Sequence, residues 1–211
     1  NLYFAVLTGC LRVAKESIFT GLNNFNVMSI TGSRFGEYFG FSDDEVKAML
    51  EYYGLEDKYG LIKEWYDGYC FGSADIYCPW DVINYVYLLR AEPDARPRTF
   101  WINSSSNAVI RSLLQKADDQ TMEDLDRLVN GMSVTKTITE ELTYRELYDN
   151  IDNLWSVLFA TGYLTKRAET DLNTYEFVIP NQEIRIIFRD QILSWFQEEA
   201  RKDAPALDAF C

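Results

Sequence analysis

The sequence contains no histidine. That absence removes every Ser-His-Asp and Cys-His mechanism and every mixed Cys/His zinc site. The four cysteines, Cys10, Cys70, Cys78 and Cys211, are too widely spaced for a CxxC pair, and they read as reduced, mostly buried thiols of a cytosolic protein. Also missing are GxxxxGK followed by Ser or Thr, GxGxxG, HExxH, GxSxG and the EF-hand loop. The chain therefore carries no self-sufficient catalytic site, and any catalytic pair would have to be built from carboxylates, lysine or tyrosine. No catalytic residue and no metal ligand is assigned.

Cations are scarce. Lys and Arg number 20 against 33 Asp and Glu, a net charge of −13, so the summed field repels phosphate backbones and anionic lipid. DNA is not expected as a partner of this chain. No apolar run approaches the roughly 20 residues that cross a bilayer. Residues 1–20 also lack a basic start, an apolar stretch and a small-residue cleavage site. A cytoplasmic location without membrane contact is the expectation.

What is present is a foldable chain of 211 residues, 47% hydrophobic and 15% aromatic, enough for two packed units. Residues Leu2 to Gly9 form a short apolar run closed by glycine and predict a buried strand, with a turn at 11–17, a loop to Asn24 and a second extended segment over 25–30. Ser42, followed by Asp43, Asp44 and Glu45, predicts a capped helix to about Tyr53, stopped by Gly54. A second helix is expected from about Leu55 to Tyr66, then a turn-rich segment from Tyr69. A third begins at Pro79, where proline suits a first turn, and runs to about Arg90. Glu92 to Pro97 is the best linker.

Beyond the linker, helices are expected over 105–116, over 122–130 capped by Thr121, over 144–149 and over 151–161. Residues 163–168 and 175–179 alternate as a hairpin, joined by 169–174, and a last helix follows from about Gln182 to Ala200. Helix, helix, hairpin, helix is the order of a winged-helix unit. Lys166 and Arg167 on the hairpin suit a DNA grip. Glu169, Asp171, Glu183, Asp190, Glu198 and Glu199 nearby oppose it.

One segment stands out for chemistry. Asp67 lies within Trp65-Tyr66-Asp67-Gly68-Tyr69-Cys70-Phe71-Gly72, and a carboxylate walled by aromatic rings can act as an acid. The competing reading is that Asp67 caps a turn while the rings fill a core. No second carboxylate has a spacing that completes a glycosidase-type pair.

Three blocks in this order resemble a large bacterial family of AAA-ATPase-like proteins. They are Leu7-Thr8-Gly9-Cys10-Leu11-Arg12-Val13-Ala14-Lys15-Glu16-Ser17 and on to Asn24; Trp65-Tyr66-Asp67-Gly68-Tyr69 with Phe71-Gly72, Tyr77 and Pro79-Trp80; and Trp101 to Asn107. In that family a P-loop core that binds ATP and Mg²⁺ precedes these blocks, and a PD-(D/E)XK nuclease-like domain often follows them. The resemblance implies a mainly α fold with short β, a helical lid subdomain plus a winged-helix-like unit, with one or two strands of a P-loop core. It divides the chain into 1–30, the end of the ATPase core; 31–95, the lid; and 96–211, the winged-helix-like domain. Thr8 would sense the terminal phosphate, with Arg12 or Lys15 near the phosphates. Trp65, Tyr66, Asp67, Gly68, Tyr69, Pro79 and Trp80 would form the lid motif.

Two departures bear on this. Cys78 stands where asparagine is frequent before Pro-Trp, and Cys70 stands where a basic residue is frequent. A cationic second sensor is not expected at position 70. On this reading the chain itself holds no cofactor, its partners are the P-loop half and a nuclease-like domain, and it reports nucleotide state to other domains or proteins. The alternative is an acidic helical module that docks a basic protein, with no nucleotide role.

Overall fold

The computed structural model describes residues 28–32, 34–101, 108–140 and 150–191. The predicted strand 2–9, Thr8, Arg12, Lys15, the turn at 11–17 and the helix 144–149 lie outside the described residues. So do most of the 25–30 segment, most of the Trp101–Asn107 block and the last helix beyond 191. Within what is described, the protein is mainly α with short β.

Helix α1 spans Asp43–Tyr53. Ser42 Oγ accepts the Glu45 N–H at 3.3 Å, and the Glu45 carboxylate accepts the Ser42 N–H at 2.9 Å, closing a capping box that satisfies two orphan donors. Gly54 ends the helix at φ 67°, with open space around it, so its role is backbone freedom. A tight turn over Glu56–Lys58 precedes α2, Tyr59–Tyr66, so the second helix starts later than its sequence suggests. Residues 69–76 are not merely turns: Tyr69–Phe71 (β1) and Ala74–Ile76 (β2) pair antiparallel, Tyr69 opposite Ile76. Helix α3 then runs Pro79–Ala91, with Pro79 in its first turn.

These three helices enclose a first core of Val46, Leu50, Ile62, Tyr66, Tyr77, Val82, Tyr85, Val86 and Leu89. Residues 92–100 carry no helix or strand up to Phe100, as a linker would, yet they are strapped to this core. The Tyr66 hydroxyl donates to the Arg98 carbonyl at 3.0 Å and accepts its N–H at 3.2 Å, while the Tyr85 hydroxyl donates to Ala95 O at 2.9 Å. A buried phenol needs a partner, and the extended backbone supplies one.

The second half begins with α4, Ala108–Leu114, and α5, Asp119–Val129. The cap of α5 is Asp118, whose carboxylate accepts the Thr121 N–H, so Thr121 is the capped residue and not the cap. Strand β3, Val134–Thr137, was not expected; Val134 faces the core while Thr135 points out. Helix α6 covers Asn153–Ala160, β4 Thr165–Asp171 and β5 Thr174–Val178. The hairpin loop is shorter than expected, Asp171 pairing Thr174, with Asn173 at φ 54°. Helix α7 is described over 182–191. The sheet order β3-β5-β4 places β5 in the middle, its Tyr175 and Phe177 buried against Phe159 of α6. The second core gathers Leu113, Leu125, Leu128, Leu154, Leu158, Tyr163, Phe177, Ile184 and Ile187.

The β1–β2 hairpin binds the halves. Tyr69 and Ile76 lie in the second core, although flanking Tyr66 and Tyr77 lie in the first. No helix among the described residues is long and apolar enough to cross a membrane.

Candidate functional site

The motif Trp65–Tyr69 with Pro79–Trp80 forms the joint between the two cores. Tyr66 is fully buried in the first core and Tyr69 enters the second, its hydroxyl donating to the Gly162 carbonyl at 3.0 Å. Between them Asp67 ends α2 and Gly68 turns at φ 101°. A β-carbon at Gly68 would stand 2.2 Å from the Pro180 carbonyl oxygen, so the backbone of the motif presses directly on the chain entering α7. Cys70 N–H donates to Thr165 Oγ1 at 2.8 Å, fastening β1 to β4. Trp65 is half-buried, and Trp80 is 60% exposed at the start of α3.

The sequence allows Asp67 to be either an aromatic-walled acid or a turn cap, and it stands at the C-terminal cap of α2 with Oδ1 buried and without a hydrogen-bond partner. Its carboxylate lies 3.3 Å from the Lys63 ammonium one turn earlier in α2, an ion pair at a helix end. The more elaborate carboxylate of the first unit is Asp43. It lies within 2.6 Å of Lys47 and receives the hydroxyls of Tyr59 and Tyr77 at 2.7 Å each. The Lys47 ammonium foremost, with both phenols, holds its pKa well below the usual range.

The structure also brings together a pair that sequence reading missed. Asp81, in the first turn of α3, and Glu183, in the first turn of α7, are 1% and 0% exposed, and each carboxyl perturbs the other's proton affinity. Glu183 Oε1 accepts the backbone N–H of Phe100 and, at 2.9 Å, that of Trp101. Oδ1 of Asp81 and Oε2 of Glu183 are buried and have no hydrogen-bond donor. Two acceptors facing each other in a dry interior need a proton between them. Burial, and then the Asp81 charge, push Glu183 up to about 8; burial also raises Asp81, opposed by hydrogen bonds from Cys78 and Glu183. Burial first, and Asp81 next, push the Cys78 thiol up to about 12.

A carboxyl pair sharing a proton is an acid–base device where substrate reaches it. Here no side-chain surface is open, so the pair ties α3 and 100–101 to α7. The signal for Glu183 was present: it lies four residues before Ile187 and one before Ile184, on the apolar stripe of α7. Its partner, far away in sequence, gave no such sign.

Among the described residues no group of three or more Cys, Asp and Glu is arranged to hold a metal ion. Thr8, Arg12 and Lys15 lie outside the described residues, so the structure places none of them. Of the residues expected to form a lid motif, Tyr66, Gly68 and Tyr69 meet at the joint, and Pro79 starts α3 beside it.

A curated protein of Azotobacter chroococcum mcd 1, described as an uncharacterized protein in the vnfD 5' region, is 26% identical over 203 residues, covering 92% of this chain. The chain spans about a third of that relative's length, 35%. No family model matches the chain, and no solved structure does.

Proposed function

We propose that this chain is the sensor, lid and winged-helix-like portion of an AAA-ATPase-like protein, coupling nucleotide state elsewhere in the protein to contacts between domains or with partners. The observation that carries this reading is the joint. The residues whose resemblance suggests a lid, Tyr66 to Tyr69, are the ones wedged between the two cores, with Gly68 against Pro180. A coupling element requires a stiff connection through which a displacement of one packed unit moves the other. The order α5, β3, α6, β4, β5 with sheet order β3-β5-β4 supports a winged-helix-like identity for the second unit. Such a unit in a chain of charge −13 suits protein contact better than DNA.

ATP and Mg²⁺ would be held by a P-loop half outside this chain, with Thr8, Arg12 and Lys15 contributing from this side; a nuclease-like domain is a further candidate partner. The longer protein should hydrolyse ATP, the 211-residue chain should not, and Thr8→Ala in the longer protein should lower turnover. Hydrolysis by the 211-residue chain alone, or full turnover with both Thr8 and Lys15 replaced, would sink the reading.

A second reading, an acidic protein-interaction module without a nucleotide role, is favoured by one feature. Trp80, Ile83 and Tyr87 lie along one face of α3 and are 60%, 50% and 72% exposed. Recovery of one partner regardless of nucleotide, lost on Tyr87→Ala, would favour it.

A further inference from the structure

Among the described residues, three cations gather at a cleft of about 380 Å³ where the β1–β2 hairpin, β4 and the start of α7 meet. Lys166, Arg167 and Arg185 line it, with Thr165, Asp75 and the backbone of Gly68. Arg185 is the informative member. It is partly buried, its Nε is buried without a hydrogen-bond partner, and its guanidinium lies flat beside Gly131, 3.4 Å from where a β-carbon would be. No carboxylate among the described residues pairs with it, although acids outnumber bases 33 to 20 in the chain. A buried guanidinium N–H without an acceptor is costly unless a ligand provides one.

The surrounding groups are donors. Lys166 Nζ spends one hydrogen on the Thr31 carbonyl at 3.0 Å and retains two. Thr165 Oγ1 accepts from Cys70 N–H, which leaves its own proton to give. Arg167 meets Glu176 only at 3.9 Å and is 62% exposed, so its fork is largely free. Against these three cations the cleft sets the single carboxylate of Asp75, exposed on β2.

We propose that this cleft binds the phosphate group of a small phosphorylated ligand, with Arg185 and Lys166 as its principal contacts and Thr165 as a third donor. A guanidinium fork engages phosphate bidentately, and a cluster of three cations attracts a phosphate dianion more strongly than the single charge of a carboxylate. The volume exceeds that of bare phosphate and falls in the range of small-molecule sites. The net charge of −13 opposes a duplex as the source of the phosphate. The site does not rest on the coupling role proposed above: phosphate could bind here in a protein without ATPase activity, and the ATPase reading could hold with this cleft empty.

The test is calorimetric titration of the full 211-residue chain with inorganic phosphate, with glycerol phosphate as the ester and acetate as the carboxylate control, at low ionic strength. Phosphate and the ester should bind with a Kd on the order of 1 mM or tighter, and acetate should not. Arg185→Gln and Lys166→Gln should each weaken binding by about tenfold or more, Arg185→Lys by less, and Asp75→Asn should tighten it. Lys166→Gln and Asp75→Asn alter the sheet's periphery, so they keep the test alive if the Arg185 variants fail to fold. The proposal is overturned if wild type binds neither phosphate nor the ester. Equal binding of acetate, or undiminished phosphate binding in Lys166→Gln, also overturns it. So would a short DNA duplex binding where both small phosphates fail.

Discussion

Replacing Glu183 by glutamine removes a titratable carboxyl from the joint while keeping its shape and its acceptor for the Phe100 and Trp101 amides. The new amide nitrogen can donate to Asp81, taking the place of the shared proton. In the wild type the folded state holds that proton up to about 8, whereas the unfolded chain releases it near the ordinary value of 4.5. Folded-state affinity for the proton is thus raised, so the stability it contributes is fully present below about 4.5 and is lost as pH rises through about 8. The slope within that window is about 1.4 kcal/mol per pH unit for one proton, a few kcal/mol in total. Urea unfolding followed by tryptophan fluorescence at pH 5, 6.5 and 8.5 reads it directly. The wild type should lose stability across the series, and Glu183→Gln should hold nearly level through it. Above the folded-state pKa both carboxylates are charged in a dry interior, and the joint is the first place expected to loosen. Equal slopes for the two proteins, or a wild type that gains stability from pH 5 to 8, would refute the shared-proton account.

Gly68→Ala should cost at least about 3 kcal/mol, because the position combines φ 101° with a carbonyl 2.2 Å from the added carbon; a loss below about 1 kcal/mol in urea melts would mean that the joint yields easily. Ser42→Ala should lower stability by about 1 kcal/mol through loss of the α1 capping box, with the drop in helix protection confined to residues 43–46 in hydrogen exchange. Tyr66→Phe keeps the core filled but frees both polar groups of Arg98, so it should cost about 1–2 kcal/mol and speed exchange of the Arg98 amide. Unchanged exchange there would show that the 92–100 strap is held by other contacts.

Local structure in the first half was readable because it is set by short-range chemistry. Ser42 and Glu45 cap one another three residues apart, Gly54 supplies the left-handed turn, and Pro79 suits a first helical turn, so α1 and α3 appear where the residues place them. The β4–β5 hairpin was legible from alternation, and its two-residue loop was not, since Leu172–Asn173 closes a register with shifts between Lys166 and Ala168 and again between Glu169 and Asp171. Strand β3 escaped because Val134–Thr137 is short and has one buried residue, and its partner Phe177 is more than forty positions away. The β1–β2 hairpin was hidden by Gly72-Ser73, which reads as loop until Tyr69 is set opposite Ile76.

The sequence by itself determined the composition class, the absence of histidine chemistry, the acidic surface and the capped helices, all of which depend on residue types or on neighbours within one turn. Only the tertiary structure decided where those pieces meet. It put Gly68 against Pro180, buried Asp81 together with Glu183, and set Arg185 in one cleft with Lys166, with no ion-pair partner among the described residues. Each of these brings together groups that lie beyond the reach of one helical turn or hairpin, and burial supplies what the residue types alone lack. A carboxyl or a guanidinium acquires its unusual proton affinity or its need for a partner only when folding removes the water around it.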